Sequence, residues 1–258
     1  MLTFPQLQSG AAAQLPLQRS ETYRTLRNAL ADGSVIQMSD SSFERVGWTL
    51  KFSELTPTEA QALQSLFQSA AGRLNTFTFV DPGANLLCWS EDLTQPSWSV
   101  GPQLALSAVP DAFGGMAGTQ IANAAAAAQS ISQTTNAPPS LQYCFSAYLQ
   151  SDAPAQVTFE IGGNAVLTAS VNGAWQRWEA VSTGGAGPQV TFGLSISPGA
   201  TVQVSGLQAE PQPAAGVYKS TTATGGVFPK SRFDQDSLDI TATEPGLFAC
   251  NVRIMSQL

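Results

Sequence analysis

Histidine is absent from the 258 residues. That removes Ser-His-Asp and Cys-His catalysis, imidazole proton shuttles and every His-bearing zinc site. Carboxylate chemistry of the glycosidase kind stays open in principle. Charge is scarce: Asp, Glu, Lys and Arg make up 11% of the chain, against about 25% in ordinary globular proteins. Cations are scarcest, with 11 Lys and Arg against 18 Asp and Glu and a formal net charge of −7. Phosphate recognition needs clustered cations, so the balance argues against nucleic acid as a partner. No apolar run approaches the roughly 18 residues of a membrane span. Cysteine is limited to Cys88, Cys144 and Cys250, with no C-x-x-C pair, and an odd number cannot close fully into disulfides. Buried thiols in a chain made in a reducing cytoplasm are the leading reading, ahead of a redox or metal role. The first residues, MLTFPQLQSG, have no basic segment followed by an apolar one, which argues against a secretory signal. GxGxxG and GxxxxGK[ST] are both missing, so nothing points to a nucleotide, and no cofactor is implied.

What is present is apolar. Hydrophobic residues are 43% of the chain, with 13 Phe, 5 Trp and 4 Tyr. This is enough for a sizeable core and does not describe a disordered chain. The charge is unevenly spread. Residues 88–210 hold one basic residue, Arg177, against seven acidic ones, a net of −6. The flanks hold ten basic and eleven acidic residues, a net of −1. Two internal steps in composition are what an inserted domain produces. The division is therefore a scaffold domain over 1–84 and 211–258 and an inserted domain over 85–210.

The local patterns give a mainly β chain with one clear helix. Residues 21–30, ETYRTLRNAL, fit a strand or a short helix; Asp32-Gly33 is a turn signal and VIQM a short strand. RVGWTLKF, 45–52, puts Val46, Trp48, Leu50 and Phe52 on one face by alternation. The helix follows: Thr56 as N-cap, Pro57 at the first position, Glu59 closing a capping box, an apolar stripe of Leu63, Leu66 and Phe67, and Gly72 as terminator. NTFTFVDPG is a strand with Phe77 and Phe79 on one face. Between 141 and 210, short β-prone runs separated by Gly, Pro, Asn and Ser suggest a sandwich. ANAAAAAQS, 122–130, fits a helix by composition or a sandwich loop by context. At the end, SLDIT and LFACNVRIM flank Glu244-Pro245-Gly246 as a hairpin, with Phe248, Cys250, Val252 and Ile254 sharing a face.

The order of these pieces resembles a known family. Residues 34–87, with VGWTLKF, LTPTEAQALQSLFQSAAGR and NTFTFVDP, are similar to the core of tailed-bacteriophage distal tail and baseplate-hub proteins. NLLCWSEDLTQPSW at 85–98, YCFSAYLQ at 143–150, WQRW at 175–178 and VSGLQAEPQPAAGVYKST at 204–221 resemble jelly-roll, carbohydrate-binding-like modules of phage tail proteins. The resemblance implies an α+β tail-adaptor β-sandwich domain with an inserted jelly-roll β-sandwich. It implies a virion location at the tail tip, after synthesis in the host bacterial cytoplasm. It also implies a homo-oligomeric ring, a hexamer on that likeness, whose partners are the tail tube and tip or hub proteins. Ring assembly needs heterologous interfaces and exposed edges, and a low-charge surface suits such packing. A host-surface glycan is the further partner implied.

Sugar recognition stacks the C–H face of the ring on an aromatic plane, with polar groups fixing the hydroxyls. The candidates are Trp98, Trp178, Tyr148 and Asp111. Trp98 follows the turn-like Gln95-Pro96-Ser97 and is expected to be exposed. Trp175 and Trp178 are three apart, so a regular strand points them to opposite faces, one to the core and one outward. Trp89 and Tyr148 lie in expected strands, where packing is the leading role, as it is for Trp and Tyr in general. Asp111 lies in the Gly-flanked loop DAFGG. Asp111, Glu91, Asp92 and Asp152 lack D-x-D-x-D-G spacing, so solvated loop acids lead over calcium ligands, and no metal site is assigned. Asp234, Asp236 and Asp239 read as a solvated hairpin approach balanced by Arg232. No catalytic residue is assigned, and the chain is read as a non-enzyme. Two alternatives stand behind the tail-adaptor reading. One is a tail-borne lectin for adsorption. The other is a glycan depolymerase, disfavoured because such enzymes are usually larger and carry a β-helix repeat that is missing here.

Overall fold

The computed structural model describes residues 2–257 and is mainly β with one α-helix. The leading part contains β1 (Gln18–Thr22), β2 (Thr25–Ala29), β3 (Val35–Ser39), a 3-10 turn at Ser41–Phe43, β4 (Arg45–Leu55), α1 (Pro57–Ala70) and β5 (Phe77–Val80). The middle part contains β6 (Ser99–Val100), β7 (Leu104–Val109), β8 (Gly118–Asn123), β9 (Gln129–Thr135), β10 (Gln142–Ile161), β11 (Asn164–Thr183), β12 (Val190–Ile196) and β13 (Thr201–Glu210). The chain closes with β14 (Val227–Phe233), β15 (Ile240–Glu244) and β16 (Leu247–Gln257). Two compact units result: residues 2–5, 13–79 and 228–257 form one, and residues 6–12 and 80–227 form the other.

The first unit is a six-stranded sheet in the order β1-β4-β16-β14-β5, with β15 also on β16. Its centre is the antiparallel pairing of β4 with β16, from Arg45 opposite Gln257 to Leu55 opposite Phe248. Alternation decides the faces. Val46, Trp48, Leu50 and Phe52 are buried, as are Cys250, Val252 and Ile254 opposite them. Trp48 packs on Phe79 and Phe228 with ring centroids 4.8 and 4.7 Å apart, and Phe233 packs on Phe77 at 4.8 Å and Phe67 at 5.0 Å. The helix forms where its caps demand. The Thr56 hydroxyl accepts from the Glu59 N–H at 3.3 Å, and the Glu59 carboxylate accepts from the Thr56 N–H at 2.8 Å. Ala60, Leu63, Leu66 and Ala70 are its buried stripe, with Phe67 at the margin. Ala71 takes the left-handed cap position, one residue before the Gly72 expected there, and Gly72 follows at φ 62°. Segment 21–30 is neither one helix nor one strand; it breaks at Tyr23-Arg24 into β1 and β2. β2 and β3 form a separate two-stranded ribbon beyond the main sheet.

The second unit is a β-sandwich of the jelly-roll type built on one long hairpin. β10 and β11 have 20 residues each and pair from Gln142 opposite Thr183 to Ile161 opposite Asn164. Its register breaks at Leu149–Ala155, where Pro154 lies and the Ser151 hydroxyl donates to the carbonyls of Ala153 (2.6 Å) and Thr201 (2.8 Å). Before this bend β10 pairs with β13; after it, with β12. Each half of the hairpin therefore carries a different half-sheet, β13-β8-β7 on one and β12-β9-β6 on the other. The rings prove the bend. Phe145 and Phe159 sit 14 residues apart on β10 with centroids 5.4 Å apart, whereas a straight strand would separate them by about 46 Å. The core between the half-sheets includes Phe145, Phe159, Phe192, Leu194, Val202 and Val204, each almost fully buried.

The unit boundaries differ from the charge steps. Residues 80–84 and 211–227 belong to the sandwich. So do residues 6–12, where the Gln6 side chain donates to the carbonyls of Gly10, Gln142 and Pro211 and accepts from the Gln142 N–H. Charge did not mark these segments because they are nearly uncharged. The chain's way in and way out are adjacent: the Asp81 N–H donates to the Gly226 carbonyl at 2.8 Å. The Ala-rich segment 122–130 is no helix but the end of β8, a turn and the start of β9. Asn123 decides this. Its buried amide donates to the carbonyls of Ala127, Ile196 and Ser197 and accepts from the Ala125 N–H.

Candidate functional site

The half-sheet of β10 with β11 and β13 has one face in the core and one facing away. Phe145, Ala147 and Leu149 are fully buried on the core side. On the other side Ser146 and Tyr148 stand beside Arg177 and Glu179 of β11 and Ser205, Gln208 and Glu210 of β13. A strap, residues 211–222, lies over this polar face. Gln208 and Glu210 are nearly inaccessible beneath it. Glu210 accepts from Lys219 Nζ (3.0 Å), the Gly216 N–H (2.7 Å) and the Gln208 amide (2.7 Å). Arg177 donates to the Gly216 carbonyl (2.6 Å) and the Ser146 hydroxyl (3.0 Å). The buried Glu210 carboxylate thus has charge-assisted bonds, which is what burial requires, while Arg177 Nε is buried with no partner among the described residues.

At the open end of this face three rings meet. Tyr148 rises from β10, Tyr218 comes from the strap and Phe113 from the loop between β7 and β8. Phe113 lies parallel to Tyr218, centroids 5.3 Å apart at 5°, and edge-on to Tyr148 at 5.0 Å and 75°. The Arg177 guanidinium sits 5.4 Å from the Tyr148 ring centre. Phe113 is 53% exposed, and Met116 and Val217 are exposed as well. The exposed Phe113 ring and the two tyrosines it touches form the aromatic patch.

Asp111 sets the loop. Its carboxylate accepts from the N–H groups of Phe113 (2.7 Å), Gly115 (2.8 Å) and Ala117 (3.1 Å). These bonds, led by that from Gly115, hold its carboxyl below the usual carboxylate range. A Cβ on Gly115 would lie 2.5 Å from the Asp111 carboxylate, so the turn needs glycine. Gly206 matters equally: it takes φ 61°, and a Cβ there would meet Tyr148 at 3.1 Å and Phe113 at 3.2 Å. The Tyr218 hydroxyl bonds Ser90 (2.9 Å) and donates to Glu91 (3.3 Å). Burial raises its pKa, so it stays a phenol.

Of the residues the sequence nominated, the structure brings Tyr148 and Asp111 to this patch and leaves two elsewhere. Trp98 is not exposed; it is 5% accessible, lies in the sandwich core and donates from Nε1 to the Trp89 carbonyl at 3.0 Å. The Gln95–Trp98 turn folds the ring inward rather than out. Trp178 pairs with the buried Ala147 and packs on the core, its Nε1 buried with no partner among the described residues. Trp175 is also half-buried, so the pair does not divide into core and surface. Trp89 lies outside any strand, at φ 50°. The nominated list missed Phe113 and Tyr218. Phe113 was legible as the aromatic inside DAFGG.

The remaining acids have local work. Asp92 accepts from the Gln95 amide and from Thr94, which lowers its pKa. Asp234 and Asp236 lie 3.5 and 3.6 Å from Arg73, which takes the balancing role expected of Arg232. Among the described residues no three acids, cysteines or histidines gather where they can hold a metal. The cysteines are free thiols. Burial pushes Cys144 up to about 12 and Cys250 up to about 11, and raises Cys88, so none is a ready nucleophile.

The fold and site thus define a mainly β protein in which a jelly-roll sandwich with an exposed aromatic patch interrupts a smaller sheet unit. No family profile matches the sequence, and no curated protein matches it. Among solved structures, the chain is similar to the CBM22-1 xylan-binding domain of Paenibacillus barcinonensis Xyn10C, at 16% identity and TM-score 0.42, over 51% of this chain and 97% of that one. It is similar to a carbohydrate-binding module of Cellvibrio mixtus lichenase 5A, at 17% identity and TM-score 0.36, over 49% and 97%. It is also similar to the enzymatically active domain of tailspike protein 4 of bacteriophage CBA120, at 12% identity and TM-score 0.39, over 50% of this chain and 22% of that domain.

Proposed function

We propose that the protein is a structural subunit of a phage or phage-like tail tip whose sandwich unit binds a host-surface glycan. The observation that carries the glycan part is the platform of Phe113, Tyr148 and Tyr218. A half-exposed ring, stacked on a second ring and fixed by a carboxylate-tied loop, is a rigid surface for the C–H face of a sugar. The exposed Glu91 carboxylate beside the Tyr218 hydroxyl supplies a polar group for sugar hydroxyls. The protein acts by binding, not by catalysis: the Asp111 carboxylate is engaged by three backbone donors and is held ionised, which disfavours its use as a general acid. The tail-adaptor part is supported by the order of its motifs and by the pairing of β4 with β16, which lets one scaffold carry an inserted unit. In that role it joins tail tube to tip as one subunit of a ring.

Two measurements test the two parts. Titration of host-surface polysaccharide against the wild type should give saturable binding, and Phe113→Ala should weaken it by about tenfold, the worth of one aromatic stack. Because Phe113 is half-exposed, its removal should lower stability only by the loss of its ring contacts, about 1 kcal/mol, and leave the chain folded. Binding that survives Phe113→Ala undiminished rejects the platform. Gold labelling of residues 88–210 on intact particles should mark the tail tip; particles that lack the protein reject the adaptor role.

A further inference from the structure

The sheet face that carries Tyr148 does not end at its ring. Two residues further along β10, Gln150 stands on the same side, because Ala147 and Leu149 point into the core. Gln150 pairs with Gln203 of β13, and Gln203 pairs with Gln120 of β8. Cross-strand partners share a face, and Val202, Val204 and Ile121 are buried on the other one. Three side-chain amides therefore form one row across three strands. All three residues are half-buried, and their amides bond nothing among the described residues. Each amide offers donors and an acceptor that water or a ligand must meet.

Beyond the row the face runs into a cleft of about 210 Å³. Gln120 and Gln203 line it together with Thr201 and with Asp152 from the bend of β10. Asp152 is exposed and has no cationic partner among the described residues. Tyr148 pairs with Ser205, and Thr201 lies four residues from Ser205 on β13, about 13 Å along a strand. Ring, amide row and cleft thus follow one another over more than the length of one sugar. Charge narrows what can lie there. The sandwich unit holds two cations, Arg177 and Lys219. Both are engaged beneath the strap, Arg177 by Gly216 and Ser146 and Lys219 by Glu210. No cation of this unit is left to meet a carboxylate, sulfate or phosphate on a ligand, and Glu91, Asp111 and Asp152 repel such groups. Uncharged amides suit the hydroxyls of a neutral sugar instead.

We infer that the sandwich reads a neutral polysaccharide laid along the strands. One sugar sits on the Phe113–Tyr148 platform, the next over the Gln150–Gln203–Gln120 row and a further one at the Asp152 cleft. The inference rests on the glycan part of the reading above and adds to it the charge class and the length of chain that is read.

The test uses the full chain and host-surface polysaccharide separated by anion exchange into neutral and anionic fractions. The wild type should bind the neutral fraction saturably and the anionic fraction about tenfold more weakly or worse. With neutral chains cut to graded length, affinity should rise with length and level off at about three sugars, the span of the line. Gln120→Ala/Gln203→Ala should weaken binding of long chains by about tenfold, through the loss of one net hydrogen bond from each amide. The shortest fragments that bind should be unaffected by this variant, whereas Phe113→Ala weakens short and long chains alike. The two amides make no bond within the chain, so the double variant should melt with the wild type. Binding confined to the anionic fraction overturns the neutral class. Affinity independent of length, or a double variant that holds long chains as the wild type does, overturns the amide row and cleft. Each of these results leaves the platform in place; a wild type that binds neither fraction overturns the glycan reading itself.

Discussion

At Asp111 one side chain determines whether the aromatic platform exists. Its carboxyl is held below the usual range, so the folded loop favours the ionised form. The resulting stabilisation is present above the unfolded carboxylate value, near 3.9. It is lost as pH falls through the lower folded value. Glycan binding should therefore be flat from neutral pH to about 4 and fall only in stronger acid. Asp111→Ala should show the weakened binding at every pH. Proteolysis at 112–116 reads the same loop; a variant as resistant as the wild type would disconnect Asp111 from loop order. Gly206 makes the complementary case. Gly206→Ala should cost roughly 1–2 kcal/mol from its left-handed backbone alone, and should displace Phe113 from Tyr148, lowering both melting temperature and affinity. At this scale the sequence was only half legible. Of the nominated residues, Tyr148 and Asp111 lie in one neighbourhood, through Phe113. Trp98 was misplaced because turn residues signal a change of direction, not whether the next ring goes in or out.

Among the elements, α1 was the most legible because everything that makes it is local. Thr56, Pro57 and Glu59 lie within four residues, and the caps form as their spacing requires. Thr56→Ala should lower stability by about 1 kcal/mol, with the loss visible in thermal melts and confined to α1 and its neighbours in hydrogen exchange. β4 was equally plain from its alternation. The β10–β11 hairpin was not. SDAPA reads as a break between two short strands, whereas the structure runs one bent strand through it, with the Ser151 hydroxyl shared between the carbonyls of Ala153 and Thr201 at the bend. The Ala-rich stretch failed for a similar reason. Its propensity is helical, but Asn123 bonds four backbone groups at once and a helix would forfeit them. The ribbon was legible as the Asp32-Gly33 turn and the VIQM strand, but its exposure was not, since solvent exposure is not written in a five-residue strand.

Along the chain, one sheet is completed by two distant segments, and the unit inserted between them starts and finishes at one place. β4 and β16 are some two hundred residues apart in sequence yet pair along their length. Such non-local pairing makes folding slow, because the loop must close before its contacts stabilise anything. Independent folding of the sandwich shortens that loop: once Asp81 and Gly226 are joined, the ends it returns are already close. Replacing 80–227 by a short Gly-Ser linker should therefore leave a folded first unit with a faster refolding phase and no glycan binding. The isolated 80–227 segment should bind glycan. It should melt earlier than in the full chain, because it lacks residues 6–12 and with them the Gln6 bonds, each worth about 1 kcal/mol. Adding a peptide of residues 6–12 should recover part of that loss. If the shortened chain instead fails to give a cooperative melt, the sheet depends on its insertion for more than proximity, and the two units are not the separable bodies that their strand pairing describes.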